Sequence, residues 1–218
     1  MPRLVDLSHT IHDGLVTYPG LPAARVGEHL DRKSSRAHYA EGTEFSIGRI
    51  EMVANTGTYL DAPFHRFEGG QDIAALALES LADLPGVVVR VPPEVRAIEA
   101  ERFAGLGELH GHAVLVATGW SQHFGRPEYG VGHPFLTKGA AERLVACGVA
   151  LVGIDSLNID DTATGERPVH SLLLARGVRI VEHLTNLAAL PERGFRFFAV
   201  PPKVRGVGSF PVRAFALL

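Results

Sequence analysis

The chain has 218 residues, 46% hydrophobic and 21% charged, and a formal net charge of −3 from 21 Lys and Arg against 24 Asp and Glu. That balance excludes a disordered polymer, which needs low hydrophobicity and high net charge. With no polybasic run, it also argues against a nucleic-acid partner. A single cysteine, Cys147, can close neither an internal disulfide nor a thiolate metal site. The opening MPRLVDLSHT lacks an apolar h-region and no 18 apolar residues run together, so the expectation is a soluble, cytoplasmic protein without a membrane span.

No internal repeat or linker-like composition shift interrupts the chain, which reads as one domain over residues 1–218. Residues 45–53 place Phe45, Ile47 and Met52 among small or polar neighbours and predict a strand with imperfect alternation. Val87–Val91 and Ala113–Ala117 are β-branched apolar runs bounded by Gly and Pro, as buried strands are. Residues 137–147 predict a helix capped by Thr137 and stopped by Gly148, and Ala150–Ile154 predicts the next buried strand. Pro168 opens a short helix through Arg176, closed by Gly177. Strands follow at Val178–Val181, Phe197–Val200 and Val212–Ala216. Strands outnumber helices and at least two helices lie between strands, which defines an α/β domain with a mixed, partly parallel sheet.

Eleven histidines are many for this length, and imidazole is both a common metal ligand and the usual acid/base near neutral pH. Two segments set a histidine near a carboxylate. In Asn55–His65, Asp61 and His65 are four residues apart, but Pro63 lies between them and disfavours a helix interior. Gly57 and Pro63 can fix the irregular backbone so that both side chains enter one cleft; the alternative is a capped surface turn. In the second segment, His170 stands in the first turn of a helix and Glu182 ends an apolar strand. The helix carries the chain away by about 9 Å and the strand returns it by roughly 13 Å, so the two side chains can finish near one level. A carboxylate after Val-Arg-Ile-Val needs a partner or a metal if it is buried; otherwise it is a solvent-facing strand end. Gly206–Ser209 resembles a phosphate loop only superficially and is expected to be a turn. His110, His112, His123 and His133 are expected to be structural or solvated. Asp155, Asp160 and Asp161 surround a polar loop that can line a cleft or cap turns.

The segment Asn55–His65 resembles the signature His-x-Gly-Thr-His-x-Asp-x-Pro-x-His of the cyclase-like metal hydrolases, which include bacterial kynurenine formamidase and isatin hydrolase. The resemblance extends to Asp6-Leu7-Ser8-His9, Tyr18-Pro19-Gly20, Thr118-Gly119-Trp120, His133-Pro134 and the His170-to-Glu182 spacing. It implies a swivelling β/β/α arrangement of the mixed sheet, a homodimer or larger homo-oligomer, and a small-molecule substrate. It also implies a metal set of Asp61, His65, His170 and Glu182. Asn55 and Tyr59 stand where the family has its first two histidines. Both are weaker ligands than imidazole, so one divalent ion, zinc or manganese, is expected rather than two. The alternative is an ion-free pocket running acid/base chemistry through His65 and Glu182.

The function so implied is hydrolysis of an amide, lactam or ester in a small cyclic or aromatic metabolite, through metal-activated water. In it His65 and Glu182 shuttle protons, and Tyr59 donates a hydrogen bond to the developing oxyanion. Asn55, Trp120 and Arg66 are the expected substrate contacts, with Arg36 a further cation for an anionic substrate. Two alternatives belong to other classes: a ring-closing cyclase or lyase, and a catalytically silent binding relative.

Overall fold

The computed structural model describes residues 2–218. Its strands are β1 (Leu4–Asp6), β2 (Arg25–Leu30), β3 (Ile47–Glu51), β4 (Tyr59–Asp61), β5 (Leu84–Arg90), β6 (Ala97–Ile98), β7 (Ala113–Ala117), β8 (Phe135–Leu136), β9 (Leu151–Ile154), β10 (Arg179–Glu182), β11 (Phe195–Phe198), β12 (Ser209–Pro211) and β13 (Phe215–Leu217). The α-helices are the one-turn α1 (Arg32–Ser35), α2 (Lys138–Ala146) and α3 (Pro168–Ala175).

Nine strands form one mixed sheet in the order β1-β13-β11-β5-β7-β9-β10-β4-β12. Its centre, β5-β7-β9-β10, is parallel, and these are the β-branched runs that the sequence marks as buried. Alternation along them feeds two cores. Val88, Leu115, Leu151 and Val181 join the core on one face. Val87, Val114, Val152 and Ile180 join that on the other, against the inner sides of α2 and α3. Parallel strands need long crossovers, and α2 and α3 supply them between β7, β9 and β10. Thr137 caps α2 by accepting from the Ala140 amide, and Gly148 and Gly177 follow α2 and α3 at φ +67° and +69°, the left-handed turn that releases a helix. No helix among the described residues is long and apolar enough to cross a membrane.

Four expectations change. The strand expected over 212–216 is displaced to Phe215–Leu217. Ser209, expected to close the turn Gly206–Ser209, instead opens β12 (Ser209–Pro211) at the sheet edge, where Pro211 removes no ladder bond that a neighbour needs. The strand at 45–53 shortens to β3, which pairs only with β2 in a separate ribbon whose residues are almost all exposed. In addition, Tyr59–Asp61, within the segment read as irregular, is a strand, followed by a 3-10 turn over Pro63–His65.

Register places the site. β4 is antiparallel to both β10 and β12, pairing Tyr59 with Glu182 and Asp61 with Ser209. Directly opposed residues share a face, so each pair brings its side chains together. That face also carries Ile180, in the core beneath α3, and α3 brings His170 to the same end of the sheet.

Candidate metal centre

Asp61 is fully buried. Its Oδ1 accepts from the Ser209 hydroxyl, whereas its Oδ2 has no hydrogen-bond partner among the described residues and lies 3.7 Å from His170 Nε2. His65 reaches the same carboxylate: its Nδ1 is 3.9 Å from Asp61 Oδ1 and 2.9 Å from Ser209 Oγ. Asp61, His65 and His170 each offer a ligand atom within 4.8 Å of the others.

Asp160 orients His170. Its carboxylate caps α3 by accepting from the Val169 and His170 amides at 2.7 and 3.0 Å, and it stands 2.7 Å from His170 Nδ1. A carboxylate there sets the proton on Nδ1 and leaves Nε2 as the ligating atom. Burial alone would lower the proton affinity of His170, but Glu182, Asp160 and Asp61 outweigh it and raise the pKa to about 10. Asp61 is held below the usual carboxylate range: burial opposes ionisation, and His170, His65 and Ser209 overcome it. The pocket therefore favours positive charge between its carboxylates, and its donor set of two imidazoles and one carboxylate fits a divalent ion.

Glu182 stands beside this triad, with Oε1 3.7 Å from His170 Nε2. Both its oxygens are engaged, Oε1 by the Ile159 amide at 2.7 Å and Oε2 by the Tyr59 hydroxyl at 2.5 Å. Burial raises its pKa to about 7, aided by Asp61 and opposed by His170 and the Tyr59 bond. Burial, then Glu182 and Asp61, raise Tyr59 well above the ordinary phenol value, so it stays protonated. Its one proton is directed to Glu182, which removes the oxyanion-donor role expected for it and makes it a positioning residue.

Tyr59, His170 and Glu182 form the inner wall of a cavity of about 320 Å³. Asn55 lines it beside the Tyr59 hydroxyl, His65 and Arg66 stand at its exposed side, and Tyr18 and Leu21 face it from the N-terminal segment. Trp120 does not line it: its indole N–H donates to the Tyr129 carbonyl at 3.1 Å and its ring packs on His123, committing it to a separate loop. Arg36 is likewise committed, pairing with Glu44 at 2.6 Å.

Ser209, Arg167 and Asn158 stand at the site without having been anticipated there, whereas Asp160, read from the sequence as lining a cleft or capping a turn, caps α3 and holds His170. Behind it lie two further histidines. His183 is buried at φ +55°, with Nδ1 2.8 Å from the Tyr129 hydroxyl, while its Nε2 and that of His9 are buried without partners. Burial pushes His183 down to about 3 and His9 to about 4.

A mixed α/β sheet with an Asp/His/His cluster gathered by β4, the turn after it and α3 defines an α/β protein with a candidate metal centre. More particularly, residues 5–161 match the model of the family described as "Putative cyclase", and the chain belongs to that family. It is 29% identical over 213 residues to a kynurenine formamidase of Geobacillus thermodenitrificans, covering 96% of this chain and 95% of that protein. A kynurenine formamidase of Salinibacter ruber is 26% identical, with 97% and 95% covered. Among solved structures, one described as a potential metal-dependent hydrolase with cyclase activity superposes with a TM-score of 0.81 at 26% identity, covering 100% of this chain and 98% of that one. Isatin hydrolase A from Labrenzia aggregata shares the fold, with a TM-score of 0.82 at 24% identity and coverage of 100% and 94%.

Proposed function

We infer that the chain is a metal-dependent hydrolase of the C–N bond in a small amide or lactam, with Asp61, His65 and His170 holding one divalent ion, zinc or manganese. The observation that carries this is the unpartnered, buried Asp61 Oδ2 facing His170 Nε2 at 3.7 Å. Leaving a buried acceptor unsatisfied costs about 1–3 kcal/mol, more when it is charged, and a cation in that place removes the cost. The kynurenine formamidase relatives supply the bond class, since a formamide is the simplest C–N amide.

An ion so held supplies a Lewis acid that polarises a carbonyl oxygen and acidifies water. The chain's own groups do the rest. Glu182 lines the cavity with a proton affinity near neutrality, so it takes a proton from the attacking water and returns it to the leaving nitrogen. Tyr59 and the Ile159 amide hold its carboxyl in one orientation. His65, bridged through Ser209 to Asp61 and partly exposed, stands at the cavity mouth, where substrate and water enter.

The protein acts in the cytoplasm as a homo-oligomer. The β2–β3 ribbon supports assembly, because a two-stranded ribbon is marginal in water alone and this one exposes Val26, Ile47 and Ile50. Hydrolysis is tested by incubating zinc- or manganese-loaded protein with formanilide in ¹⁸O-labelled water. Labelled formate from the wild type and none from Asp61→Asn supports the reading. Absence of turnover on formanilide and on an aryl lactam alike, with metal bound, overturns it.

A further inference from the structure

Besides the Asp61, His65 and His170 cluster, the cavity is lined by hydrogen-bond donors. Arg66 and Arg167 approach it from different elements, the turn after β4 and the residue preceding α3. Arg66 is tethered by its Nε to Ser171 Oγ at 3.1 Å, which leaves both Nη groups uncommitted. Arg167 is half-buried, and its Nη1 is fixed by the Asp161, Thr164 and Glu166 carbonyls at 3.2, 2.8 and 2.6 Å. Those partners are neutral, and no carboxylate among the described residues forms an ion pair with it. The neighbouring Arg96 differs, since it pairs with Asp161 at 2.9 Å. Asn158 also lines the cavity, and its Oδ1 already accepts from the Asp160 amide, so it offers a ligand only its Nδ2 donor. The one carboxylate lining this cavity is Glu182, fully buried at the inner wall and already bonded to Tyr59 and Ile159.

Guanidinium groups match a carboxylate with paired N–H donors, a geometry that an ammonium group neither needs nor tolerates. We propose that the substrate is an aryl amide bearing a carboxylate and no ammonium group, with Arg66 and Arg167 gripping the carboxylate while the amide carbonyl points to Asp61, His65 and His170. The proposal rests on the hydrolase reading above and adds the charge of the substrate to it. Tyr18 and Leu21 provide the flat, largely apolar flank that an aryl ring takes.

The test compares 2-formamidobenzoate, its methyl ester and N-formylkynurenine, which adds an ammonium, as substrates of the metal-loaded protein. A charge-assisted bond to each guanidinium predicts KM for the acid roughly 10- to 100-fold below that of the ester, with kcat alike. N-formylkynurenine should be weaker than the acid. Arg66→Gln, at an exposed side chain, and Arg167→Lys, which keeps the charge and loses the fork, should each narrow the acid–ester gap. An equal KM for acid and ester, or a gap untouched by either variant, overturns the proposal; the second result assigns the carboxylate to another group. If no substrate turns over, the hydrolase reading fails and calorimetry with benzoate and benzamide decides this one. Benzoate preferred in the wild type and not in Arg66→Gln upholds it, and no preference overturns it.

Discussion

His183 should make the protein acid-sensitive in a way one substitution can isolate. Its ring is wholly buried and held to a pKa of about 3, so the folded chain leaves it neutral across the mildly acidic range. Unfolded, the same imidazole titrates near 6.5. Between those values the unfolded state binds more protons, so the contribution to stability is complete above pH 6.5 and is lost as pH falls. The slope approaches about 1.4 kcal/mol per pH unit below pH 6.5, for a total loss of roughly 2.7 kcal/mol by pH 4.5. That is a large share of the ~5–15 kcal/mol that holds a domain together. Asn is the apt replacement, because it does not titrate and tolerates the left-handed backbone at φ +55°. Urea unfolding followed by the fluorescence of Trp120, the only tryptophan, in chelator at pH 7.5, 6.5, 5.5 and 4.5 would give both profiles. His170 titrates in both proteins and cancels in the difference. The two curves should converge by about 1.4 kcal/mol per unit below pH 6.5. Parallel curves would show that His183 is not kept neutral by burial and would refute the reasoning.

Tyr59→Phe removes the hydroxyl that donates to Glu182 at 2.5 Å. Because that bond favours the carboxylate, the acid limb of the kcat/KM profile should move up by about 1–2 pH units, and an unmoved limb would detach Tyr59 from the reaction. Gly208→Ala would set a Cβ on the backbone of His65, costing about 1–3 kcal/mol by overpacking and weakening metal affinity, both readable by thermal unfolding with and without zinc. Ile50→Lys, on the exposed ribbon at 63% exposure, should convert an oligomer to a monomer in light scattering, and a wild-type monomer would remove the ribbon as an interface.

The central strands were legible because both their faces are buried, so Val87–Val91 and Ala113–Ala117 read as continuous apolar runs that admit no other place. α2 and α3 were legible from Thr137 and Pro168 at their starts and Gly148 and Gly177 at their ends. The short strands toward the β12 side of the sheet were not. β4 is three residues long, Tyr59-Leu60-Asp61, two of them polar at the site, and it is a strand because β10 and β12 pair with it across more than a hundred residues. The same long-range pairing explains Ser209. Its neighbours Gly206, Val207 and Gly208 look like a turn, and nothing local says that it will lie opposite Asp61. The approach of His170 and Glu182 was legible as arithmetic on helix and strand rise and appears as a 3.7 Å separation. Tyr59 could be located but its partner could not, since the pairing with Glu182 is a matter of register. Trp120 stood out by residue type, whereas its hydrogen bond to Tyr129 depends on loop packing that composition does not encode.

The most direct test is calorimetric titration of chelator-treated protein with zinc and manganese in buffers of different ionisation enthalpy. His170 holds a proton up to about pH 10 in the metal-free pocket, and a metal ligand must give it up. One equivalent of ion should therefore bind near neutral pH with release of about one proton, and Asp61→Asn should lose the binding. No binding at all, or binding that Asp61→Asn leaves unchanged, would contradict a metal centre built on Asp61, His65 and His170.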